Sequence, residues 1–334
     1  MNKPLISVII PAYNAQETIK RTIKSALNQT FSDFELIIVN DGSQDSTLEI
    51  VSSISDPRLK VFSYPNSGAA VGRNRGFSHS VGEFIAFLDA DDLWTSDKLE
   101  AQLKALQANP EAAVAYSWTD HIDECDRFLR ECSHFTANGN VYAELLLCCF
   151  VVSGSNTLIR RQAFIDIGGF DESLPASQDF DLYLRLAARY KYVAVPAVQV
   201  LYRLSDSSMF SDLHRHETTS LQVRERAFSQ APEPLPAPLK RHSIANFYKC
   251  TLHRLLTDPP SRKRGLESAR LLWKAIQYEP ILLQKKVALK LIYKILLFSL
   301  LSPQQAEFFQ NKYKSQANIN KLLHYVRIDP SNLT

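Results

Sequence analysis

The sequence predicts an α/β protein with a doubly wound, mostly parallel sheet and a helical C-terminal region. Three observations support this prediction. Over the first 120 residues, short apolar runs rich in β-branched residues alternate with helix-length segments. These apolar runs are nearly continuous, which is typical of parallel strands covered on both faces. After residue 238, a helical pattern persists to the end of the chain.

The first elements follow one another as β-α-β-α-β-α-β, so right-handed crossovers are expected. In the first helix, Ile19, Ile23 and Leu27 recur every four residues and predict a buried stripe. Asp45 or Ser46 is expected to cap the second helix. Strands are predicted at 5–10, 34–39, 59–64 and 84–88, and helices at 18–28, 46–55 and 71–80.

The next part of the chain is less regular. Residues 119–150 predict loops with a short helix. A strand near 157–159, a helix at 180–189 and a strand at 199–202 follow.

Composition excludes several classes of protein. The chain has 334 residues, of which 45% are hydrophobic and 22% charged, as in globular proteins and unlike disordered chains. Its uncharged runs fall short of the roughly 18 apolar residues that span a bilayer. Residues 1–4 lead directly into a strand pattern, so no secretory signal is expected. Five cysteines without metal-ligand spacing indicate a reducing, cytoplasmic location.

Charge divides the chain into two parts. Residues 232–334 contain 17 Lys and Arg but 6 Asp and Glu, a balance of +11, whereas residues 1–231 have a balance of −8. Four prolines between residues 232 and 238 indicate a stiff linker at the join. We therefore predict one domain at 1–230, a linker at 231–238 and a basic helical region at 239–334.

Polar residues follow three of the four predicted strands. These segments are 11–14, 40–43 and 89–92. Each alone is consistent with ordinary turn chemistry, since Asn, Asp, Gly and Pro favour turns. Because the carboxyl ends of parallel strands meet at the ligand-binding edge of such a sheet, all three together indicate a nucleotide site.

Asp89 and Asp91 are the most informative of these residues. In an extended segment their carboxylates point to the same side, and a pair of carboxylates favours a hard cation, Mg²⁺ or Mn²⁺. Such a cation can neutralise a diphosphate leaving group. The alternative is that Asp92 or a neighbour caps a helix after Trp94.

The loop at 66–76 lacks G-x-G-x-x-G and a Walker lysine, which excludes the dinucleotide and P-loop signatures. Its glycines, Gly68 among them, permit close approach of the backbone to a ligand. Arg73 or Arg75 could donate to phosphate, or either could lie on a solvated helix face.

Taken together, the motifs resemble those of the inverting glycosyltransferases of family 2, which have a GT-A fold. The resemblance covers roughly residues 5–210. It is carried by SVIIPAYNAQETI (7–19), IIVNDGSQDST (37–47), the loop at 66–76, EFIAFLDADDLW (83–94), IGGFDE (167–172) and QDFDLYLRL (178–186).

The resemblance implies a role for each motif. Tyr13 would stack on the donor base and Asp41 would accept from its ring N–H, while Arg73 would lie near the ribose or diphosphate. The DXD motif would supply Asp89 to the ribose and Asp91 to the metal. Other residues expected around the donor are Pro11, Ala12, Asn14, Gly68 and Ala90.

The resemblance also implies that Asp179 is the general base. Gln178 stands where the family commonly has Glu, and no histidine follows Arg203 closely. From the sequence alone, the dipole of a helix that begins near Asp179 should favour its ionised form. The alternatives are that Asp179 caps this helix or that Asp181 is the base.

The segment 282–301 predicts a basic amphipathic helix. Lys286, Lys290 and Lys294 recur every four residues, with Leu291 and other apolar residues largely opposite. Such a helix can lie on the inner, anionic face of a membrane, or can pack with its lysines in water. No nucleic-acid-binding module accompanies the basic charge, so nucleic acid is not an expected partner.

The sequence therefore predicts a metal-dependent, inverting glycosyltransferase. The donor is expected to be a nucleotide-sugar, most simply a UDP-sugar, and the acceptor a hydroxyl of a glycan or a lipid-linked glycan. The alternatives are a sugar nucleotidyltransferase and a membrane-binding scaffold with an inactive transferase domain.

Overall fold

A computed structural model describes residues 3–204, 213–326 and 328–332. Packing divides the chain into two compact units. The first comprises Met1–Tyr142 and Phe150–Pro232, and the second comprises Ala143–Cys149 and Glu233–Thr334. The assignment of 1–230 and 239–334 as independent domains stays a prediction.

Within the described residues, nine strands form one sheet in the first unit. Its order is β3-β2-β1-β4-β8-β6-β9-β5, with β7 paired to β6. The first four strands in this order are parallel, and β8 is antiparallel to both β4 and β6. The strands are β1 (Ile6–Ala12), β2 (Phe34–Asn40), β3 (Leu59–Ser63), β4 (Phe84–Phe87), β5 (Leu93–Trp94), β6 (Ala112–Ile122), β7 (Phe128–Ser133), β8 (Leu158–Arg160) and β9 (Lys191–Arg203).

Helices connect these strands and make up most of the second unit. Those before the proline-rich segment are α1 (Ile19–Leu27), α2 (Thr47–Ser52), α3 (Ala69–His79), α4 (Lys98–Ala108), α5 (Tyr142–Leu147), α6 (Arg161–Asp166), α7 (Gln178–Ala187) and α8 (Leu213–Ser229). Those after it are α9 (Leu239–Thr257), α10 (Arg262–Tyr278), α11 (Lys286–Leu300), α12 (Pro303–Lys312) and α13 (Lys314–Ala317), with 3-10 helices at Pro280–Gln284, Asn320–Tyr325 and Pro330–Asn332. The predicted α/β class and helical C-terminal region are confirmed.

The main hydrophobic core lies between the sheet and helices α1 and α4, and α3 packs closely on β1 and β2. All seven residues of β2 are buried, as expected for a parallel strand covered on both faces. Gly76 of α3 lies so close to β1 that an added Cβ would approach Ile9 Cγ2 to 2.3 Å. This contact sets the distance between α3 and the sheet.

The prediction of loops at 119–150 is wrong in its first part. β6 continues to Ile122, and β7 pairs with its end. This strand is stabilised from both sides, since β9 and β7 flank it and supply its backbone partners. A pattern based on local apolar periodicity misses a strand whose stability comes from such distant pairing.

β9 is longer than the predicted strand at 199–202. It begins at Lys191 and passes through Pro196, which sequence patterns treat as an interruption. The register with β6 shifts at this point, from Val195 opposite Ser117 to Val198 opposite Trp118. This irregularity accommodates a proline that has no N–H to donate.

The helix expected directly after Trp94 begins later. Leu93 and Trp94 form the short strand β5 against β9, and α4 begins at Lys98 with Asp97 at its N-cap position. Asp92 is therefore not a helix cap, which leaves its carboxylate for another role.

In the second unit, α9 binds the C-terminal end of α5. The Ser243 hydroxyl donates to the carbonyl of Leu146, and Asn246 Nδ2 donates to the carbonyl of Leu147 at 3.1 Å. These side chains satisfy helix-end carbonyls that have no partner within their own helix. Residues 143–149 are thus an integral part of the second unit.

The predicted lysine face of 282–301 is wrong at one position. Lys294 is buried in α11, whereas Lys286 is exposed. Burial lowers the pKa of Lys294 to about 8. In residues 3–204, 213–326 and 328–332, every helix is too short or too polar to cross a bilayer.

We predict that Gly76→Ala destabilises the first unit. Overpacking costs about 1–3 kcal/mol, and the higher helix propensity of alanine offsets at most about 1 kcal/mol of it. The midpoint of urea unfolding measures the effect. Ser78→Ala, at an exposed position of the same helix, should change stability by less than about 0.5 kcal/mol. Equal stability of the two variants would contradict the close packing of α3.

We predict that Lys294→Met stabilises the protein by about 1–3 kcal/mol at pH 7. The pKa of about 8 lies below the ordinary 10.5, so the burial cost is full below pH 8. It decreases between pH 8 and 10.5 and vanishes above that range. Thermal unfolding across this pH range should show the gain shrinking as pH rises. Lys286→Met, at an exposed position, is the control and should show no such trend.

Candidate active site

The loops that follow β1 and β2 are interlocked at the carboxyl edge of the sheet. Asn14 Oδ1 accepts from the backbone N–H of Gln44 at 2.8 Å, and the Asn14 N–H donates to Ser43 Oγ at 3.1 Å. Asn14 adopts a left-handed conformation with φ of 47°. Beside it, Tyr13 is 50% exposed. Its ring is therefore accessible to a stacking partner, directly after Pro11 and Ala12 at the end of β1.

Asp41 orders the loop before α3. Its buried carboxylate accepts from the backbone N–H of Gly68 at 2.8 Å and of Ser67 at 3.0 Å. Gly68 has φ of 93°, which disfavours a side chain, and it precedes the first residue of α3. The predicted donor residues Asp41 and Gly68 therefore belong to one hydrogen-bonded loop.

The acidic turn after β4 is held in place by α1. Thr18 Oγ1 and Thr22 Oγ1 donate to the carbonyl of Ala90 at 2.9 and 3.0 Å. Thr22 Oγ1 also reaches the carbonyl of Asp92 at 2.9 Å. Sequence reasoning missed these threonines, whose only signal is a hydroxyl on the buried face of an amphipathic helix.

A buried ion pair lies next to this turn. The guanidinium of Arg73 donates to Asp89 Oδ1 at 2.5 Å and lies 3.5 Å from Gln178 Oε1. Its carbon atom lies 5.1 Å from the centre of the Phe170 ring. Gly154 faces the pair, since an added Cβ would lie 3.2 Å from the guanidinium. Arg73 thus points into the site rather than to solvent.

Asp91 carries an electrostatic cost. Burial, and next the negative charge of Asp89, raise its pKa to about 6. A hard cation would relieve this repulsion, so the two carboxylates fit a Mg²⁺ or Mn²⁺ ion. Within the described ranges, no three His, Cys, Asp or Glu side chains are grouped to hold a metal. A cation here would depend on these two carboxylates and on phosphate oxygens from a ligand.

Asp92 has a structural role. Its buried carboxylate accepts from Ser155 Oγ at 2.5 Å and from the Arg203 N–H at 3.0 Å. Burial and the charges of Asp91 and Asp89 raise its pKa well above the usual range. Ser155 Oγ also accepts from the Asp89 N–H at 3.0 Å. This chain of hydrogen bonds links the acidic turn to β9.

Arg203 also holds the acidic turn after β4 in place. Its Nε donates to the carbonyl of Asp91 at 2.7 Å, and its remaining guanidinium nitrogens bind the carbonyl of Asp123 and the carboxylate of Asp126. The segment after it that lacks the family histidine, at 205–212, lies outside the described residues.

Asp179 lies in the first turn of α7. Gln178 is the first residue of this helix, and Ser177 before it has φ of 54°, a strained conformation for a side-chain-bearing residue. Burial raises the pKa of Asp179, the positive charge of Arg73 lowers it and the negative charge of Asp89 raises it, with a net increase. Loss of solvent therefore outweighs the contacts that favour the ionised form of Asp179.

Asp181 forms structural ion pairs. Its buried carboxylate pairs with Arg185 at 2.7 Å and with Arg226 of α8. Arg226 also binds Asp171 at 2.8 Å. These ion pairs hold α7 in place, so Asp181 does not compete with Asp179 for a chemical role.

Asn74 is a residue that sequence reasoning missed. Its Oδ1 accepts from the Phe170 N–H at 3.0 Å, and its Nδ2 donates to the Phe170 carbonyl at 2.9 Å. It follows Arg73 directly, so α3 positions both the guanidinium and the ring beneath it. Its only signal is a polar amide within the Asn66–Gly76 motif.

Comparisons with known proteins identify the family of this chain. The profile described as "Glycosyltransferase like family 2" matches residues 7–233. An uncharacterized glycosyltransferase of Rickettsia bellii is 34% identical over 254 residues, which is 75% of this chain and 35% of that protein. Chondroitin synthase of Pasteurella multocida is 32% identical over 194 residues, 57% of this chain and 19% of that protein. The chain thus spans a minor part of the length of these relatives.

A solved structure shares the fold. Residues 1–349 of S. aureus TarS in complex with UDP superimpose with a TM-score of 0.58 at 19% identity, covering 93% of this chain and 91% of that one. The family match extends over more than half of the chain and, apart from Ile6, includes every strand residue of the sheet described above. The chain belongs to the family 2-like glycosyltransferases.

Proposed function

We propose that this protein is a metal-dependent, inverting glycosyltransferase that uses a UDP-sugar. The observation that carries the proposal is the convergence of Asp89, Asp91, Arg73 and Asp179 at the carboxyl edge of the sheet. These groups supply two functions that sugar transfer requires, namely stabilisation of a leaving diphosphate and removal of a proton from an acceptor.

The donor pocket is proposed to lie between the loops after β1 and β2. The exposed ring of Tyr13 offers a stacking surface for a base. The Asp41 N–H donates to the carbonyl of Ala12, the residue before this ring, at 2.8 Å. The Asp41 carboxylate, which binds the loop N–H groups, is proposed to accept also from the ring N–H of the base. The TarS structure was solved with UDP, which supports a uridine nucleotide here.

The diphosphate is proposed to lie over the acidic turn and Arg73. A Mg²⁺ or Mn²⁺ ion bound by Asp91 and Asp89 would neutralise the charge that develops on the leaving group. Arg73 balances Asp89 when the donor is absent and is available to donate to phosphate when it is present.

Asp179 is proposed to act as the general base. Its raised pKa makes it a stronger proton acceptor, while the charge of Arg73 favours the ionised form that a base requires. The acceptor O–H would transfer its proton to Asp179 as its oxygen bonds to the anomeric carbon. The bond from that carbon to phosphate breaks, and its electron pair leaves with UDP. Attack from the face opposite the leaving group inverts the anomeric centre.

The acceptor is proposed to be a hydroxyl of a glycan or of a lipid-linked glycan, in the cytoplasm. The name of the Pasteurella relative, chondroitin synthase, supports a polysaccharide product. Incubation with a panel of UDP-sugars and Mn²⁺ tests the proposal. Released UDP supports sugar transfer. A parallel incubation with UTP and sugar 1-phosphates tests the alternative, because pyrophosphate released there would indicate a nucleotidyltransferase, and no turnover in either incubation would indicate an inactive scaffold.

We predict that Asp91→Asn removes most of the effect of Mn²⁺ on UDP affinity. Loss of an outer-shell partner typically lowers metal affinity about tenfold or more. Loss of a carboxylate that binds the metal directly should lower it at least as much. Titration calorimetry with UDP, with and without Mn²⁺, measures the effect. Asp33→Asn, at an exposed position before β2, is the matched control. An unchanged response to Mn²⁺ in Asp91→Asn would rule out this residue as a ligand.

We predict that Asp179→Asn lowers kcat by a factor of about 10²–10⁴, the usual scale for general-base loss, with donor affinity nearly unchanged. Asparagine retains the size and the acceptor for the Phe180 N–H but not the basicity. Glu172→Gln, an exposed acid-to-amide change before α7, is the control. Asp181→Asn is unsuitable because it breaks buried ion pairs. Full activity of Asp179→Asn would place the base elsewhere.

A further inference from the structure

Two helices of the second unit form an antiparallel pair. α10 and α11 are joined by the short segment 279–285, and the start of α10 contacts the end of α11. Gly265 marks this contact, since an added Cβ would lie 2.5 Å from Ser299 Oγ. The absence of a side chain at Gly265 allows the two helices to approach closely.

Apolar side chains on the pair remain exposed to solvent. The exposed fraction is 62% for Trp273, 73% for Leu289 and 75% for Leu300. We call this set the α10–α11 face. It consists of Leu266, Trp273, Leu289, Ile292, Leu296 and Leu300.

These side chains share one side of the helix pair. On α11 they are spaced three, four and four residues apart, which forms a stripe along the helix. Leu266 follows the contact residue Gly265 by one position, and Leu300 likewise follows Ser299. One position along an α-helix is a rotation of about 100° around the helix axis. In an antiparallel pair, equal turns away from the contact bring both leucines to the same side. The face is therefore continuous across both helices.

The charged residues around the face are mostly basic. Residues 262–300 contain nine Lys and Arg but two acidic residues, Glu267 and Glu279. Glu279 is buried against Lys249 at 2.7 Å, and Glu267 pairs with Arg270 at 2.8 Å. The helical positions of the lysines place them beside the apolar stripes on the outer edges, at 263 and 274 on α10 and at 286 and 290 on α11.

We propose that the α10–α11 face binds the surface of an anionic lipid bilayer. Exposed leucines and a tryptophan would enter the boundary between headgroups and acyl chains, and the lysines beside them would contact anionic headgroups. A second copy of the chain is a poorer fit. A two-fold contact would place the same basic edges against each other, which like-charge repulsion opposes.

This arrangement differs from the lysine face predicted from the sequence. Lys294 points inward, so the part of α11 that faces water is the apolar stripe with lysines at its side. Binding should therefore need both acyl-chain contact and negative headgroups. The inference does not depend on the proposed sugar transfer, because none of these residues belongs to the site described above.

Tryptophan fluorescence of the full chain tests the proposal directly. The protein is mixed with vesicles of phosphatidylglycerol and phosphatidylcholine in equal parts, and with vesicles of phosphatidylcholine alone. We expect co-sedimentation with the anionic vesicles and quenching by lipids with brominated acyl chains. Trp273→Phe should remove most of that quenching, since Trp94 is buried and Trp118 of β6, which stacks on His134, does not belong to the α10–α11 face. Absence of association, or quenching that persists in Trp273→Phe, would overturn the proposal.

A double variant provides the second test. Leu289→Glu with Leu296→Glu should lower the vesicle-bound fraction at least about tenfold, because it places carboxylates where acyl contact is proposed. Leu323→Glu makes the same change at an exposed leucine of another element and should bind normally. The rate of UDP release should be the same in the unmodified protein, the double variant and Leu323→Glu. Equal binding of the double variant, or a dimer that only the double variant loses, would refute bilayer binding through this face. Equal binding to phosphatidylcholine alone would refute the recognition of anionic headgroups.

Discussion

One buried guanidinium constrains the whole site. Arg73 lies among Asp89, Asp91 and Asp179, and its charge acts on all three carboxylates. Buried charges are tolerated only when they are paired, so without Arg73 these acids would be protonated or forced apart. The ion pair with Asp89 also joins helix α3 to the end of β4. The position of α3 on the sheet and the charge state of the site therefore depend on the same contact.

A second layer of polar contacts makes this arrangement rigid. Ser155 and Arg203 both bind the Asp92 carboxylate and the backbone of the acidic turn, and Thr22 also binds that backbone. The side chains of a functional site keep their positions when the neighbouring residues that support them are themselves fully hydrogen-bonded. Two neighbouring aspartates thus differ in role, since Asp91 is the proposed metal ligand and Asp92 anchors the turn.

Much of the fold and part of the site could be predicted from residue patterns. Buried parallel strands have a strong apolar signal, and the parallel pairing of β1, β2 and β4 brings the segments that follow them to one edge of the sheet, as expected. What the patterns missed depends on distant partners. β6 is stabilised by β7 and β9, and Asn74 acts through a loop 96 residues away. Inward rotation of Lys294 likewise follows from helix packing, not from its spacing along the chain.

The contribution of residues 143–149 to the second unit has a consequence for synthesis of the chain. The carbonyl of Leu146 receives its hydrogen bond from Ser243, 97 residues later. At about 5–20 residues per second, a ribosome needs roughly 5–20 s to reach that partner. During this interval the leucines of α5 lack the α9 surface that completes their unit. A nascent chain halted before α9 would therefore expose the apolar residues of α5. Burial of this segment thus depends on completion of the C-terminal helices.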